Sequence, residues 1–262
     1  APAKRSSCEQ VESLREMLAQ DDIEIGDYRP HHAGGPIHLI NCCINQTIDD
    51  RTGNYNADRK GVALTVSELG IETGTHLPET SPNEQYEHTT LAQWVEISGA
   101  AVGSGMGSLT ASGLASLVFL TGLRLGFWIE NLTLPRKSIT WFAKYRATAA
   151  ELLAKFPGLR QPYWYLSDGG HFDNTGIYAL LKRRLDMIVA ADCGADPQYL
   201  FGDVESLVRK AKIDYDARIE FIDPSSLVAL LPIGDPRWKL FGTPESITPL
   251  AGEAFLLLAR IT

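Results

Sequence analysis

Residues 163–176 read Tyr-Trp-Tyr-Leu-Ser-Asp-Gly-Gly-His-Phe-Asp-Asn-Thr-Gly. An aromatic, β-prone run that stops at Asp168-Gly169-Gly170 and passes into a helical pattern through Arg184 places a carboxylate at the carboxyl end of a strand. Open α/β sheets build their sites at such ends. Asp168 is therefore the first candidate for chemistry, with Gly169 and Gly170 shaping the loop that supports it.

Working outward, strand-like runs are expected at 37–45, 62–67, 186–192 and 218–222 besides 163–167. Helical spacing is expected at 8–20, 90–96, 109–128, 138–156, 174–184 and 203–212. Strands that alternate with helices predict an α/β fold, with a mainly parallel central sheet, right-handed crossovers and helices on both faces. Residues 74–88, rich in Pro, Thr and Glu, read as a surface loop, and 223–253 as a proline-bearing excursion before a last apolar run at 254–261. No internal repeat or low-complexity linker divides the chain, so residues 1–262 are read as one domain.

Composition excludes several functions. At 262 residues and 44% hydrophobic, the chain can bury a sizeable core, while a net charge of −8 argues against a nucleic-acid partner. Cysteines 8, 42, 43 and 193 lack the spacing of a zinc site and read as buried free thiols of a reducing, cytoplasmic compartment. The start, Ala1-Pro2-Ala3-Lys4-Arg5, has no initiator Met and no apolar signal region, and reads as a segment of a longer protein. Residues 97–123 carry no charge, a span beyond the roughly 20 residues that cross a bilayer. Six glycines, five serines and two threonines interrupt it, so it reads as a loop followed by a buried or capping helix of a soluble domain, with lipid contact short of spanning left open.

Three readings of Asp168 follow from the residues. It caps the next helix; it binds a metal with His171 and Asp173, for which no further ligand of suitable spacing follows; or it is a general base to a nucleophile elsewhere. His171, three residues on, completes a triad or serves as a cap. Asn174 caps the helix or braces the Asp168 loop, Asp173 and Asp192 read as helix-start and strand-end carboxylates, and His31-His32 as a solvated turn. Asn41 and Asn45 fall on one side of their strand as structural hydrogen-bonders. Arg124 pairs with Glu130 or a helix end, or holds a lipid phosphate.

The run Asp168-Gly169-Gly170-His171-Phe172-Asp173-Asn174-Thr175-Gly176-Ile177-Tyr178, continued by Leu180-Leu181-Lys182-Arg183-Arg184 and Ile188-Val189-Ala190-Ala191-Asp192, resembles the Asp-Gly-Gly block of patatin-like phospholipases. The branch in question is the bacterial one that resembles cytosolic phospholipase A2. Three upstream blocks resemble it in order: Leu39-Ile40-Asn41-Cys42-Cys43-Ile44-Asn45, Ile97-Ser98-Gly99-Ala100-Ala101, and Arg124-Leu125-Gly126-Phe127-Trp128-Ile129-Glu130-Asn131. The resemblance covers residues 37–222. It implies a lipid acyl hydrolase in which a serine of a Gly-x-Ser-x-Gly elbow attacks the ester and Asp168 is its base, with no metal or organic cofactor.

No serine of this chain has glycine at both minus two and plus two; Ser104, in Gly103-Ser104-Gly105-Met106-Gly107, is preceded at that place by Val102. A Gly-Gly-Gly oxyanion loop is also missing. In the family both elements lie before the Asn41–Asn45 strand, and the residues ahead of it here hold neither. The expectation is therefore part of a hydrolase, incomplete at the N-terminus and inactive alone, with its nucleophile outside the chain. The implied parent is a membrane-associated protein of which this is the soluble part. The alternative is a non-catalytic lipid-binding or interaction domain that lost the elbow.

Overall fold

The computed structural model describes residues 22–49, 59–75, 84–122, 125–134, 142–227, 232, 235–249 and 252–262. The helix expected at 8–20, with Cys8, and Arg124 lie outside them. The chain is mixed α/β and forms two compact units, Ala1–Phe172 and Asp173–Thr262.

The first unit is organised by a sheet in the order β3-β2-β1-β5-β4: β1 Ile40–Asn45, β2 Gly61–Ser67, β3 Gly70–Thr73, β4 Phe127–Glu130 and β5 Tyr163–Asp168. Every neighbouring pair in it runs antiparallel, including β1 with β5, where Cys42 faces Asp168 and Ile44 faces Leu166. Parallel pairing, expected from the alternation of strands and helices, is thus not what this sheet adopts. Part of the reason is local. Glu68 and Leu69 close a two-residue hairpin, with Gly70 at φ +126°, so β3 folds straight back on β2 without a crossover. Gly122 at φ +70° takes the left-handed position that ends α3, Ser112–Thr121, and the apolar residues beyond it form edge strand β4 instead of prolonging the helix to 128.

Alternation along β5 sorts the two faces. Trp164 and Leu166 join Cys42, Ile44, Leu64 and Val66 in an apolar core, covered by Trp94 and Ile97 of α2, Leu91–Ser98, and by Tyr86 of the short α1, Glu84–Glu87. Thr90 caps α2 by accepting from Gln93 N, and Trp94 satisfies its indole N–H on Thr89 Oγ1 at 2.8 Å. On the opposite face Tyr165 stacks on Phe156 and packs with Ala115 of α3 and Ala154, next to the end of α4, Ala143–Leu152. Helices therefore cover both faces, as expected.

In the second unit, Asp173 accepts from Thr175 N and, through its other oxygen, from Tyr178 N at 2.9 Å, opening α5, Ile177–Leu181. This is the helix-start role read from the sequence. Helix α6, Gly202–Tyr215, carries the inward residues Leu207 and Ala211. The strand expected near 218–222 is β6, Ile219–Phe221, paired antiparallel with β9, Ala259–Ile261, and the one parallel pair among the described residues joins β7, Phe241–Gly242, to β8, Leu256–Leu257. Residues 186–192 form no strand: none of the described residues pairs with them in a ladder, and Met187 and Val189 are exposed. Asp192 there accepts from Gly194 N at 2.9 Å and makes a turn, not a strand end.

Candidate functional site

Asp168 ends β5 where the sequence places it. Its half-buried carboxylate accepts Gly170 N–H at 2.7 Å through Oδ1, and the 3₁₀ turn Gly169–His171 is closed by Phe172 N on Gly169 O at 3.0 Å. Oδ2 accepts no hydrogen bond from the described residues. Gly169 is required by space: a Cβ there would collide with the Asn41 carbonyl oxygen on β1. Across the ladder, Cys42 shares the carboxylate's face. Burial first, then the neighbouring Cys43 and Asp168, push the Cys42 thiol pKa upward, so it stands as a neutral S–H beside the carboxylate and not as a nucleophile. Cys42 and Cys43 are buried free thiols as expected, whereas Cys193 is exposed.

The other face of the sheet carries a polar network. Asn45, 1% exposed, donates Nδ2–H to Ser167 Oγ at 2.9 Å and to the Tyr165 carbonyl at 3.3 Å, while its Oδ1 accepts Gly107 N–H at 2.9 Å. Asn41 accepts the Thr65 hydroxyl at 2.9 Å. Both asparagines are structural hydrogen-bonders on one face. The loop 103–107 lies over this network. Gly107 sits at φ +52° with its Cα so close to the His171 carbonyl that no side chain fits. Ser104, fully buried, donates to Glu151 Oε2 at 2.7 Å and contacts Tyr165 OH at 3.1 Å, and Trp128 Nε1 donates to Glu151 Oε1 at 2.8 Å. Burial raises the Tyr165 pKa, which keeps its phenol protonated in this cluster.

His171 does not complete a triad with Asp168 by hydrogen bonding. Its Nε2 lies 3.1 Å from Ala101 O, an atom that can only accept, so Nε2 carries the proton and Nδ1 accepts from Ser167 Oγ at 2.9 Å. Ser167 in turn accepts from Asn45. A second proton on the ring would break this chain of donors, and burial holds the His171 pKa below 6.5 despite the opposing pull of Asp168 and Ala101. A depressed histidine pKa means the unfolded chain binds more protons, so the stability contribution is complete above 6.5 and is lost as pH falls from there through the folded value. Thermal unfolding is expected to show stability falling below that pH in the native chain and a flatter profile in His171→Gln; equal slopes would refute the assignment.

Other sequence candidates take plainer places. Ser98 donates to the Asn41 carbonyl at 2.7 Å. Asn174 donates to Asp203 at 2.7 Å. His31 and His32 lie in the 3₁₀ turn Pro30–Ala33, none of whose residues is buried, as expected, and His31 Nδ1 lies 3.0 Å from the Glu68 carboxylate, off the line of a hydrogen bond. Among the described residues no group of three His, Cys, Asp or Glu is placed to hold a metal, and Asp168, His171 and Asp173 do not converge on one. A cavity of about 360 Å³ in the second unit, lined by Tyr199, Ile247, Pro249 and Phe255, contains none of these candidates. Sequence reading missed Glu151, whose partners Ser104 and Trp128 are 47 and 23 residues away and signal nothing locally. No described helix is long and apolar enough to cross a membrane.

The site as it stands can hold a carboxylate with one oxygen pinned by a backbone amide and the other available to take a proton. Ser104 and Ser167 are fully buried, and the hydroxyls of Ser98, Ser104 and Ser167 are engaged with the Asn41 carbonyl, Glu151 Oε2 and His171 Nδ1, none of them with Asp168. No protein-family model, curated protein or solved structure matches this chain.

Proposed function

We propose that the chain is part of a lipid acyl hydrolase working through a Ser–Asp dyad, in which Asp168 is the general base and the nucleophilic serine and oxyanion donors lie outside these 262 residues. One observation carries the reading: a half-buried carboxylate at a strand's carboxyl end, fixed by Gly170 N–H, whose second oxygen accepts no hydrogen bond from the described residues. A carboxylate serving only as a cap needs the first feature and not the second. The finer architecture belongs to the same proposal: a patatin-like fold with a mainly parallel central sheet, in which the exposed apolar run at 187–191, a sequence suited to a strand buried on both faces, finds its partners. Its setting is a reducing compartment, as the soluble part of a membrane-associated protein.

The chain alone is expected to remain unlabelled by a fluorophosphonate probe and to hydrolyse no ester above background, because a base without nucleophile or oxyanion donors offers little differential stabilisation of a transition state. Stoichiometric labelling at Ser98 or Ser104 would overturn the proposal. Joining the chain to the polypeptide that precedes it in its gene is the positive test. Phospholipid hydrolysis that depends on Asp168 supports the dyad, and a folded, lipid-binding but inactive product supports the non-catalytic alternative.

A further inference from the structure

We infer that the exposed leucine face of α3, with the adjoining surface of α4, docks on an anionic lipid bilayer. A ten-residue helix of this composition should turn its leucines into the core. Helix α3 does the reverse. Only Ala115 is buried, while Leu114, Leu117 and Leu120 are 44, 59 and 75% exposed. Three-residue spacing puts these leucines on one stripe away from Ala115, and Leu109, 67% exposed, extends the apolar surface just ahead of the helix. The stripe is firmly held, since Ser116 donates to the Leu152 carbonyl at 2.6 Å and ties α3 to α4. Helix α4 adds exposed Tyr145 and Arg146, and Leu153 and Lys155 follow it.

Charge selects the occupant. Between residues 97 and 155 the sequence holds six cations against two acids, although the whole chain has a net charge of −8, and the two cations whose side chains are described, Arg146 and Lys155, are both exposed. Of the two acids, Glu151 is buried against Ser104 and Trp128. An apolar stripe flanked by aromatic and basic side chains is the pattern of a helix lying in a lipid headgroup region, and the local surplus of cations in an acidic protein points to an anionic surface. The surface also adjoins the Asp168 corner. Asp168 N donates to Ala100 O at 3.3 Å, His171 bonds to Ala101 O, and Leu125 N donates to Val102 O at 2.8 Å, with the Val102 and Leu125 side chains exposed. Three successive carbonyls thus join the candidate base to the apolar surface. The docking goes beyond the hydrolase reading and is measured without turnover, so failure of either leaves the other standing.

Co-flotation with vesicles tests the inference. The chain is expected to bind vesicles of equimolar phosphatidylcholine and phosphatidylserine, to bind phosphatidylcholine vesicles far more weakly, and to release from the anionic ones as salt rises. Replacing both Leu117 and Leu120 by Glu should weaken binding at least about 100-fold, and Arg146→Gln about 5-fold. Both leucines are exposed, so the melting transition should stay put. Leu120→Trp gives an independent reading, a blue-shifted emission on the anionic vesicles alone. Absence of binding to anionic vesicles, or equal binding by the doubly substituted chain, overturns the inference. So does self-association that the leucine substitutions abolish in a chain that ignores vesicles, which would make this face an interface between copies.

Discussion

With its nucleophile restored, Asp168→Asn is expected to lower acyl-ester turnover by about 10²–10⁴-fold while barely changing the melting temperature. The two expectations rest on different atoms. Asparagine keeps a carbonyl oxygen where Oδ1 now accepts Gly170 N–H at 2.7 Å, so the 3₁₀ turn Gly169–His171 retains its cap and the stability cost is on the order of 1 kcal/mol or less. The amide that replaces Oδ2 cannot take a proton, so the base is gone. Activity and melting temperature measured on the same preparation separate the roles. Near-normal turnover with a lowered melting temperature would make Asp168 a cap, and the hydrolase proposal would lose the one catalytic residue this chain contributes.

What the sequence disclosed about this corner, and what it concealed, follows from the range of the forces involved. The aromatic run before Asp168 and the two glycines after it are local signals, and β5 and its turn form where those signals lie. Strand β4 was hidden because the run from Leu125 to Glu130 is apolar enough to continue the preceding helix; only the left-handed Gly122 breaks it. Strand β3 was hidden because Glu68-Leu69 lacks the Asn-Gly chemistry that announces a tight hairpin. Residues 186–192 fail in the other direction. Their composition suits a strand, but a strand also needs a ladder, and composition carries no record of a partner. His171 shows the same limit at the site. Three residues separate it from Asp168 in the chain, yet its ring turns to the polar face, to Ser167 and Ala101. The buried pairing of Glu151 with Ser104 depends on two distant segments meeting, which no spacing rule anticipates.

The same reasoning predicts that two asparagines which look alike in β1 differ sharply in weight. Asn45 is fully buried and makes three hydrogen bonds, to Gly107 N, Ser167 Oγ and Tyr165 O, while among the described residues the half-buried Asn41 side chain accepts the Thr65 hydroxyl alone. Asn45→Leu keeps the volume and leaves the Gly107 N–H buried without an acceptor, which costs about 1–3 kcal/mol by itself. Ser167 loses its donor in the same step, so the total is expected to reach about 3 kcal/mol or more, a large part of the roughly 5–15 kcal/mol that holds a domain together. Asn41→Ala should cost about 1 kcal/mol. The loop and the turn are close neighbours here, since a Cβ placed on Gly107 would collide with the His171 carbonyl oxygen. Loss of the Asn45 acceptor should therefore loosen the loop 103–107 and the turn after Asp168 together. Urea unfolding gives the stabilities, and amide exchange at Gly107 reads the loop. Comparable losses from the two substitutions, or a Gly107 amide as protected in Asn45→Leu as in the native chain, would show that the network on the polar face does not hold the Asp168 turn in place.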